Sequence, residues 1–189
     1  MSSHTLVLIG QMGSGKDTLA ARLIAEHGYT RVAFADPLKA AALAVDPVIG
    51  LYHLAEMVRS YGWDRAKRHP EVRRFLQRLG VAMRAIDPDI WVRPLAASVA
   101  ATDGPVVVTD CRFPNEYDWA RAVGASTVRI RRPHQDAGSS EMHESEMMAA
   151  DVEGFPTRWT VTNSGTVGDL HAFADTLAAR IAPTLARTA

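Results

Sequence analysis

The sequence predicts a three-layer α/β/α protein, in which helices cover both faces of a five-stranded parallel sheet. Short apolar runs alternate along the 189 residues with segments whose apolar side chains recur every three or four positions. These are the patterns of buried strands and of amphipathic helices. Several runs are apolar throughout, as in strands covered on both faces. Strand–helix–strand alternation over the whole length favours parallel strands joined by right-handed crossovers.

The N-terminal elements follow from local signals. An apolar run over 6–9 predicts the first strand, and the shared apolar face of 16–27 predicts a helix that a glycine ends. Residues 32–34 predict a short second strand. Asp36 then stands at an N-cap position, with proline at the first helical position, and opens an alanine-rich helix over 38–45.

The rest of the chain continues the alternation after a long helical stretch. Apolar residues between 72 and 86 recur at helical spacing, which is a strong amphipathic signal. The elements predicted here are helices within 51–101, a strand over 106–109, a helix over 115–123, strands over 127–131 and 159–162, and a helix over 167–182. A polar stretch without a clear period follows the fourth strand, and we interpret about 132–154 as a mobile lid. We expect residues 1–189 to form a single domain.

The composition excludes several classes of protein. Hydrophobic residues make up 47% of the chain and charged residues 22%, as in an ordinary globular protein. Basic and acidic residues number 21 each, which argues against a protein that coats nucleic acid. The lone Cys111 excludes an internal disulfide framework and a cysteine-based zinc site. Without a charged leader or an apolar run of about 18 residues, we expect a soluble cytoplasmic protein with no membrane partner.

The neutral total conceals two charged segments. Residues 59–93 carry nine basic against four acidic side chains, whereas 133–153 carry six acidic and no basic ones. Of the 21 basic residues, 18 are arginine, which reflects either codon preference or repeated bidentate contact with phosphate oxygens. A neutral chain can therefore still hold a cleft with a strong local field.

A glycine-rich segment between the first strand and the first helix carries the strongest functional signal. Residues 10–16 read Gly-Gln-Met-Gly-Ser-Gly-Lys, which matches the phosphate-binding pattern Gly-x-x-x-x-Gly-Lys in the required strand-to-helix context. Glycines allow successive backbone N–H groups to converge on phosphate oxygens, and the helix dipole adds positive potential. The residues predicted to contact ATP in this segment are Gly10, Met12, Gly13, Ser14, Gly15, Lys16, Asp17 and Thr18.

One position departs from this pattern. Asp17 stands where a magnesium-binding serine or threonine usually follows the lysine, and Thr18 comes next. A carboxylate beside bound phosphates is repulsive unless it points away or faces a cation. We therefore take Thr18 as the candidate hydroxyl ligand of Mg²⁺.

A second polar cluster follows the strand predicted over 106–109. Asp110, Arg112 and Glu116 lie within seven residues, at the carboxyl end of a strand, where open α/β sheets bind ligands. An acidic residue at this place is typical of a magnesium site in nucleotide hydrolases and kinases. We therefore take Asp110 as a candidate metal ligand and Arg112 and Glu116 as candidate substrate contacts.

These features occur with others in an order that resembles the deoxynucleoside monophosphate kinases of bacteriophages. The matching blocks are Gly-Lys-Asp-Thr at 15–18, Phe-Ala-Asp-Pro-Leu-Lys at 34–39, Leu-Gln-Arg-Leu-Gly at 76–80 with Arg84 and Trp91 after it, 110–116, His-Glu-Ser-Glu at 143–146, and Asn-Ser-Gly-Thr at 163–166. The first block and the one at 110–116 are specific individually. The ordered set covers nearly the whole chain and carries the resemblance.

The resemblance implies a P-loop NTPase-type fold and transfer of the ATP γ-phosphoryl group to a deoxynucleoside 5′-monophosphate. It also implies a helical acceptor-binding region at about 46–101, the lid at about 132–154, and a role in supplying precursors for phage DNA synthesis in the host cytoplasm. The residues implicated in this way are Arg84 and Arg112 at the acceptor phosphate, Asp36 at the acceptor sugar or base, Asn163 beside adenine, and Ser145 and Glu146 on the lid.

Several of these residues keep a second interpretation from the sequence alone. Trp91 either stacks on the acceptor base or belongs to the core, and Gln77 either binds a base edge or is solvated. Arg84 has the same solvated alternative, and Asp36 is explained equally by capping. At the root of the lid, one or two of Arg129, Arg131 and Arg132 are expected to clamp phosphates on closure. We take Arg131 as the catalytic one, together with Lys16, Asp110 and Arg112.

Phosphate is already a competent nucleophile, so the predicted transfer needs positioning and charge stabilisation rather than a general base. The competing classes are another small-molecule kinase such as one for dephospho-coenzyme A, a nucleotide switch, and a polynucleotide-binding protein. Guanine-specific switches usually carry Asn-Lys-x-Asp, which none of the three lysines here is part of. We expect no stable nucleic-acid binding, and the sequence leaves a homodimer open.

Overall fold

A computed structural model describes residues 4–133 and 154–181. Within those ranges the chain forms seven strands and seven helices. The strands are β1 (Thr5–Ile9), β2 (Thr30–Val32), β3 (Val48–Ile49), β4 (Tyr52–His53), β5 (Val106–Val108), β6 (Ser126–Arg131) and β7 (Trp159–Thr162). The helices are α1 (Lys16–His27), α2 (Ala35–Val45), α3 (Leu54–Ala66), α4 (Pro70–Ile86), α5 (Val92–Ala100), α6 (Pro114–Ala122) and α7 (Val167–Ile181).

The structure divides into two compact units. The first, called here the sheet unit, holds the described residues up to Ala33 and from Ala96 onward, and the second, the helical unit, is Phe34–Leu95. Among the described residues, five strands of the sheet unit form one sheet in the order β2-β5-β1-β6-β7, and every pair in it is parallel. The predicted five-stranded parallel sheet is confirmed.

Burial explains why the central strand is apolar from Leu6 to Ile9. All five residues of β1 are buried, so both faces of the sheet are covered there. Helices α1 and α7 pack together against one face, where Leu19 and Leu23 meet Leu177 and the side chains of β1 and β6. The pair is also linked by polar groups, because Asp175 accepts hydrogen bonds from Arg22 Nε at 2.9 Å and from His27 Nε2 at 2.7 Å. These contacts fix α1, and with it the loop that precedes α1.

The helical unit has a core of its own. Helices α2 and α4 pack together, and α3 joins them, around a cluster whose fully buried members include Ala42, Leu54 and Val72. The antiparallel hairpin of β3 and β4 pairs Val48 with His53. Helices α3 and α4 of this unit, followed by α5, form the helical stretch that the sequence predicted within 51–101.

Two local predictions were wrong in detail, and one hairpin was missed. The second strand is β2, two residues before the predicted 32–34, because its pairing with β5 ends at Val32 opposite Val108. Helix α2 begins at Ala35, with Phe34 at the N-cap, so Asp36 lies in the first turn rather than capping the helix. In the first turn, the carboxylate of Asp36 still interacts favourably with the positive end of the helix dipole. The hairpin of β3 and β4 was not predicted, because strands of two residues show no period.

No helix among residues 4–133 and 154–181 combines the length and apolar character that crossing a membrane requires. The lid predicted at about 132–154 lies outside the described residues except for its ends.

Candidate active site

The carboxyl edge of the sheet brings together the glycine-rich loop and the polar residues that follow β5 and β6. In the parallel pair of β1 and β5, Val7 lies opposite Val108. Ile9 lies two residues after Val7, at the end of β1 and just before the glycine-rich loop. Asp110 lies two residues after Val108, just beyond the end of β5. Parallel neighbours are about 4.8 Å apart, so Asp110 follows the strand next to that loop. On the other side of β1, strand β6 runs on to Arg131 beside β7.

The glycine-rich loop, residues 10–16, packs too tightly for side chains at two of its glycines. Gly10 has φ +152°, and a Cβ there would lie 2.3 Å from the carbonyl oxygen of Ile130. Gly15 has φ +108°, and a Cβ would lie 2.6 Å from Asn163 Nδ2. Both angles fall where residues other than glycine are strained. The loop therefore needs glycine at both positions to lie against β6 and β7.

Lys16 is held inside the loop. Its Nζ donates hydrogen bonds to the carbonyl oxygens of Gly10 at 2.7 Å and Gln11 at 2.6 Å, and the residue is 9% exposed. Both of these acceptors are backbone carbonyls of the loop, so they hold the ammonium group within it. That is the place where a phosphate chain would be bound.

The start of α1 supplies further donors. Gly15 is the N-cap and has no side chain to cap the helix, so the first-turn N–H groups depend on another partner. Asp17 is exposed in that turn, whereas Thr18 is half-buried. Ser14 Oγ is buried without a hydrogen-bond partner among the described residues. An anion with several oxygens satisfies this donor set, so the residues fit the phosphates of a nucleotide.

A cavity of about 350 Å³ adjoins the loop. It is lined by Gln11, Ser14, Ile130, Arg131, Arg132, Pro133 and Thr162. The two arginines, the glutamine and the two hydroxyl residues of this lining can hydrogen-bond a charged ligand such as a phosphate. The sequence predictions omitted Gln11 and Thr162. The position of Gln11 within the loop signals such a role, whereas that of Thr162 depends on the pairing of β6 with β7.

A second cavity, of about 230 Å³, lies where several strands of the sheet begin. His4, Tyr29 and Ile181 are among the residues that line it. Open α/β sheets bind their ligands at the carboxyl ends of the strands. We therefore assign the active site to the glycine-rich loop.

The three arginines at the root of the predicted lid have different surroundings. Arg129 is buried, and its guanidinium donates to the carbonyl oxygen of Phe155, so it anchors the chain entering β7. Arg132 reaches back over the loop, with Nη1 3.5 Å from the carbonyl oxygen of Gly13. Arg131 lines the cavity with Arg132. The structure thus leaves Arg131 and Arg132 beside the phosphate-binding loop.

The segment after β5 is held by its own glutamate. Glu116 is 1% exposed, and its Oε2 accepts hydrogen bonds from the backbone N–H groups of Arg112 at 2.7 Å and Phe113 at 3.1 Å. Its carboxylate therefore binds the backbone of the loop that carries Arg112 and is not accessible to a ligand. Cys111 is buried, and burial raises the pKa of its thiol, with the carboxylates of Glu116 and Asp110 adding to the effect.

The helical unit carries four of the predicted residues. Asp36 pairs with Lys39 at 3.3 Å. Gln77 and Arg84 are half-buried on α4, where Arg84 Nη1 lies 3.6 Å from the position of a Cβ on Gly80 between them. Trp91 is 4% exposed, and its indole N–H has no hydrogen-bond partner among the described residues. Burial therefore favours the core interpretation of Trp91. Ser145 and Glu146 lie outside the described residues.

The described residues contain no group of three histidine, cysteine, aspartate or glutamate side chains arranged to hold a metal ion. Any Mg²⁺ at this site would therefore need oxygen ligands from a bound phosphate as well as from Thr18 and Asp110. That sharing is the usual arrangement where magnesium binds together with phosphates.

The fold and the loop define a P-loop kinase, in which a parallel sheet presents a glycine-rich loop and its lysine to nucleotide phosphates. A solved shikimate kinase from Aquifex aeolicus superposes with a TM-score of 0.51 over 96% of this chain and 98% of that chain, at 12% sequence identity. At such low identity the likeness concerns the fold.

Sequence relatives narrow the class to one family of phosphotransferases. The profile of the deoxynucleotide monophosphate kinase family matches residues 49–173, and the chain belongs to that family. A protein of Acanthamoeba polyphaga mimivirus whose name assigns it to the same family is 30% identical over 176 residues, 79% of this chain and 86% of the mimivirus protein. An uncharacterized protein of ictalurid herpesvirus 1 is 31% identical over 157 residues, covering 80% of this chain, which spans 61% of that relative.

Proposed function

We propose that the protein transfers the γ-phosphoryl group of ATP to a deoxynucleoside 5′-monophosphate. An oxygen of the acceptor phosphate forms a bond to the γ-phosphorus, the bond from that phosphorus to the β–γ bridging oxygen breaks, and ADP and a deoxynucleoside diphosphate result. The observation that carries the proposal is the loop with Lys16 at its centre, in a chain whose family profile is that of deoxynucleotide monophosphate kinases.

The residues of the sheet unit divide into three tasks in this proposal. Lys16 and the N–H groups of the loop and of the first turn of α1 hold the phosphates of ATP. Arg112 and Arg131 neutralise charge on the transferring group and the acceptor phosphate. Thr18 and Asp110 hold Mg²⁺, which when bound offsets the negative charge of the phosphates.

The helical unit and the lid supply the acceptor side of the proposal. We assign the acceptor to the helical region at about 46–101, with Asp36, Gln77 and Arg84 as the contacts to test. Half-burial of Gln77 and Arg84 on one helix suits side chains that present polar ends at a surface. The diphosphate product would serve as a precursor for DNA synthesis in the cytoplasm, that of the host if the protein is phage-encoded. A homodimer and the lack of stable nucleic-acid binding stay predictions.

The first test is a coupled assay of ADP release, run with ATP, Mg²⁺ and each nucleoside and deoxynucleoside monophosphate in turn. We expect one or more deoxynucleoside monophosphates to stimulate ADP release above the rate with ATP alone. Dephospho-coenzyme A belongs in the same panel as the acceptor of a competing class of kinase. Stimulation by that compound and by none of the monophosphates would refute the proposal.

The second test concerns the loop. Lys16→Ala should abolish turnover without unfolding the protein, because the lysine is the central cation of the phosphate site. Lys67→Ala is the matched control, since Lys67 is exposed at the end of α3. Near-normal turnover in Lys16→Ala would exclude the proposed mechanism.

A further inference from the structure

Asn163 follows β7 directly and touches the glycine-rich loop with its side chain. Its Nδ2 donates a hydrogen bond to the carbonyl oxygen of Ser14 at 2.9 Å. A carbonyl oxygen accepts only, so the amide nitrogen and not the amide oxygen faces the loop. Asn163 also donates its backbone N–H to the carbonyl oxygen of Arg131 at 2.6 Å. One residue thus holds both the loop and the end of β6.

The bond to Ser14 fixes the direction of a whole peptide unit. The peptide between Ser14 and Gly15 is trans, so its C=O and N–H groups point in opposite directions in one plane. When Asn163 holds the carbonyl of Ser14, the N–H of Gly15 is directed away from Asn163. Gly15 is also the N-cap of α1, so the same constraint sets the start of the helix whose first N–H groups meet the phosphates.

The packing around Gly15 shows that this contact is close. A Cβ on Gly15 would lie 2.6 Å from Asn163 Nδ2 and 2.9 Å from Leu170 Cδ2. The backbone of the loop therefore rests directly on the amide of Asn163, with a residue of α7 beside it. Such contact leaves little room for the Ser14–Gly15 peptide to turn while Asn163 is in place.

We propose that Asn163 is a positioning residue that orients the Ser14–Gly15 peptide for binding of the phosphate chain, rather than a contact to the adenine base. The proposal rests on the proposed function, because it concerns the site of that reaction. Its consequence is that Asn163 acts on every ligand that carries the phosphate chain, whatever base is attached. An adenine contact would act on ATP alone.

Calorimetric titration with ATP, UTP and inorganic tripolyphosphate tests this difference. Asn163→Ala removes the donor, and we expect about fivefold to tenfold weaker binding of all three ligands, which corresponds to the loss of one neutral hydrogen bond. Asn163→Asp keeps the shape but turns an oxygen towards the carbonyl of Ser14, and should weaken binding at least as much. Ser164→Ala, at the exposed neighbouring position, is the matched control and should bind like wild type.

Thermal unfolding of the same variants separates positioning from a purely structural role. Positioning predicts weaker binding and a lower kcat at melting temperatures close to that of Ser164→Ala. Weakened binding of ATP with unchanged binding of UTP and tripolyphosphate would overturn the proposal in favour of an adenine contact. Wild-type affinity in Asn163→Asp would overturn it as well. If the wild-type protein binds none of the three ligands, the proposed function fails, and the inference fails with it.

Discussion

Replacing Glu116 with alanine is expected to loosen the segment that carries Arg112. The glutamate side chain is 1% exposed, and one carboxylate oxygen accepts from two consecutive backbone N–H groups, those of Arg112 and Phe113. Glu116 is the third residue of α6 and Phe113 is its N-cap, so the carboxylate also satisfies a donor at the helix start. Alanine leaves both N–H groups without this acceptor.

The magnitude follows from the number and type of bonds lost. A hydrogen bond to a charged group contributes about 1.5–3 kcal/mol, so two of them bracket roughly 3–6 kcal/mol. Water can enter the space that the side chain leaves, and we therefore expect a loss near the lower end, about 3 kcal/mol. For a protein of this size each kcal/mol lowers the melting temperature by about 2–4 °C. The expected decrease is about 6–12 °C.

Thermal and urea unfolding measure this loss, and a matched pair of variants controls it. Glu116→Gln keeps an oxygen acceptor but loses the charge, and should lie between wild type and Glu116→Ala in stability. Glu71→Ala replaces an exposed glutamate in the first turn of α4, and should change the free energy of unfolding by less than about 0.5 kcal/mol. If Glu116→Ala melts within about 2 °C of Glu71→Ala, the assignment of Glu116 to the loop backbone is wrong.

Three further predictions concern other parts of the sheet unit. Gly10→Ala should cost about 2 kcal/mol or more of stability and weaken ATP binding, because its Cβ would lie 2.3 Å from the carbonyl oxygen of Ile130 at φ +152°; calorimetry and urea unfolding check this against Gly168→Ala in α7, which has room for a Cβ. Asp175→Asn should destabilise the protein at neutral pH. The pKa of Asp175 is lowered from 3.8 to about 2 by its two basic partners on α1, so this carboxylate stabilises the fold above about pH 4 and loses its effect as the pH falls through about 2; urea titrations over that range should show the difference from wild type shrinking, and a constant difference would refute it. Cys111 should react with a thiol reagent after unfolding and resist it in the native protein, because burial raises its pKa; rapid labelling without denaturant would contradict this.

The sequence allowed much of the fold to be predicted because its strongest signals are local. The apolar runs that became most of β1 and all of β5 are continuous, and the glycine that ends α1 stands directly after its last turn. Where one sequence pattern was compatible with two local conformations, the prediction failed. The Asp-Pro pair at 36–37 satisfies an N-cap rule, yet the chain enters α2 two residues earlier, because β2 stops pairing with β5 at Val32.

Part of the candidate site could be predicted from the sequence and part could not. The motif at 10–16 specifies its own conformation through glycines, so the place of Lys16 could be predicted from the sequence. The roles of Arg129 and Glu116 could not, because an arginine or glutamate near a strand end serves equally well as a ligand contact or as an anchor. The structure distinguishes these roles, because both side chains are buried. Arg129 hydrogen-bonds the backbone of Phe155, and Glu116 hydrogen-bonds that of Arg112.

What the sequence by itself determined is the order of strands and helices, the phosphate-binding loop, and the resemblance that the family profile confirmed. These features depend on periodicity and on motifs of a few residues, and both are determined by residues that are close together in the sequence. The tertiary structure alone decided which side chains meet at the loop. Asn163 touches Ser14 across 149 positions in the chain, and such a contact exists because parallel pairing brings β1, β6 and β7 to a common edge.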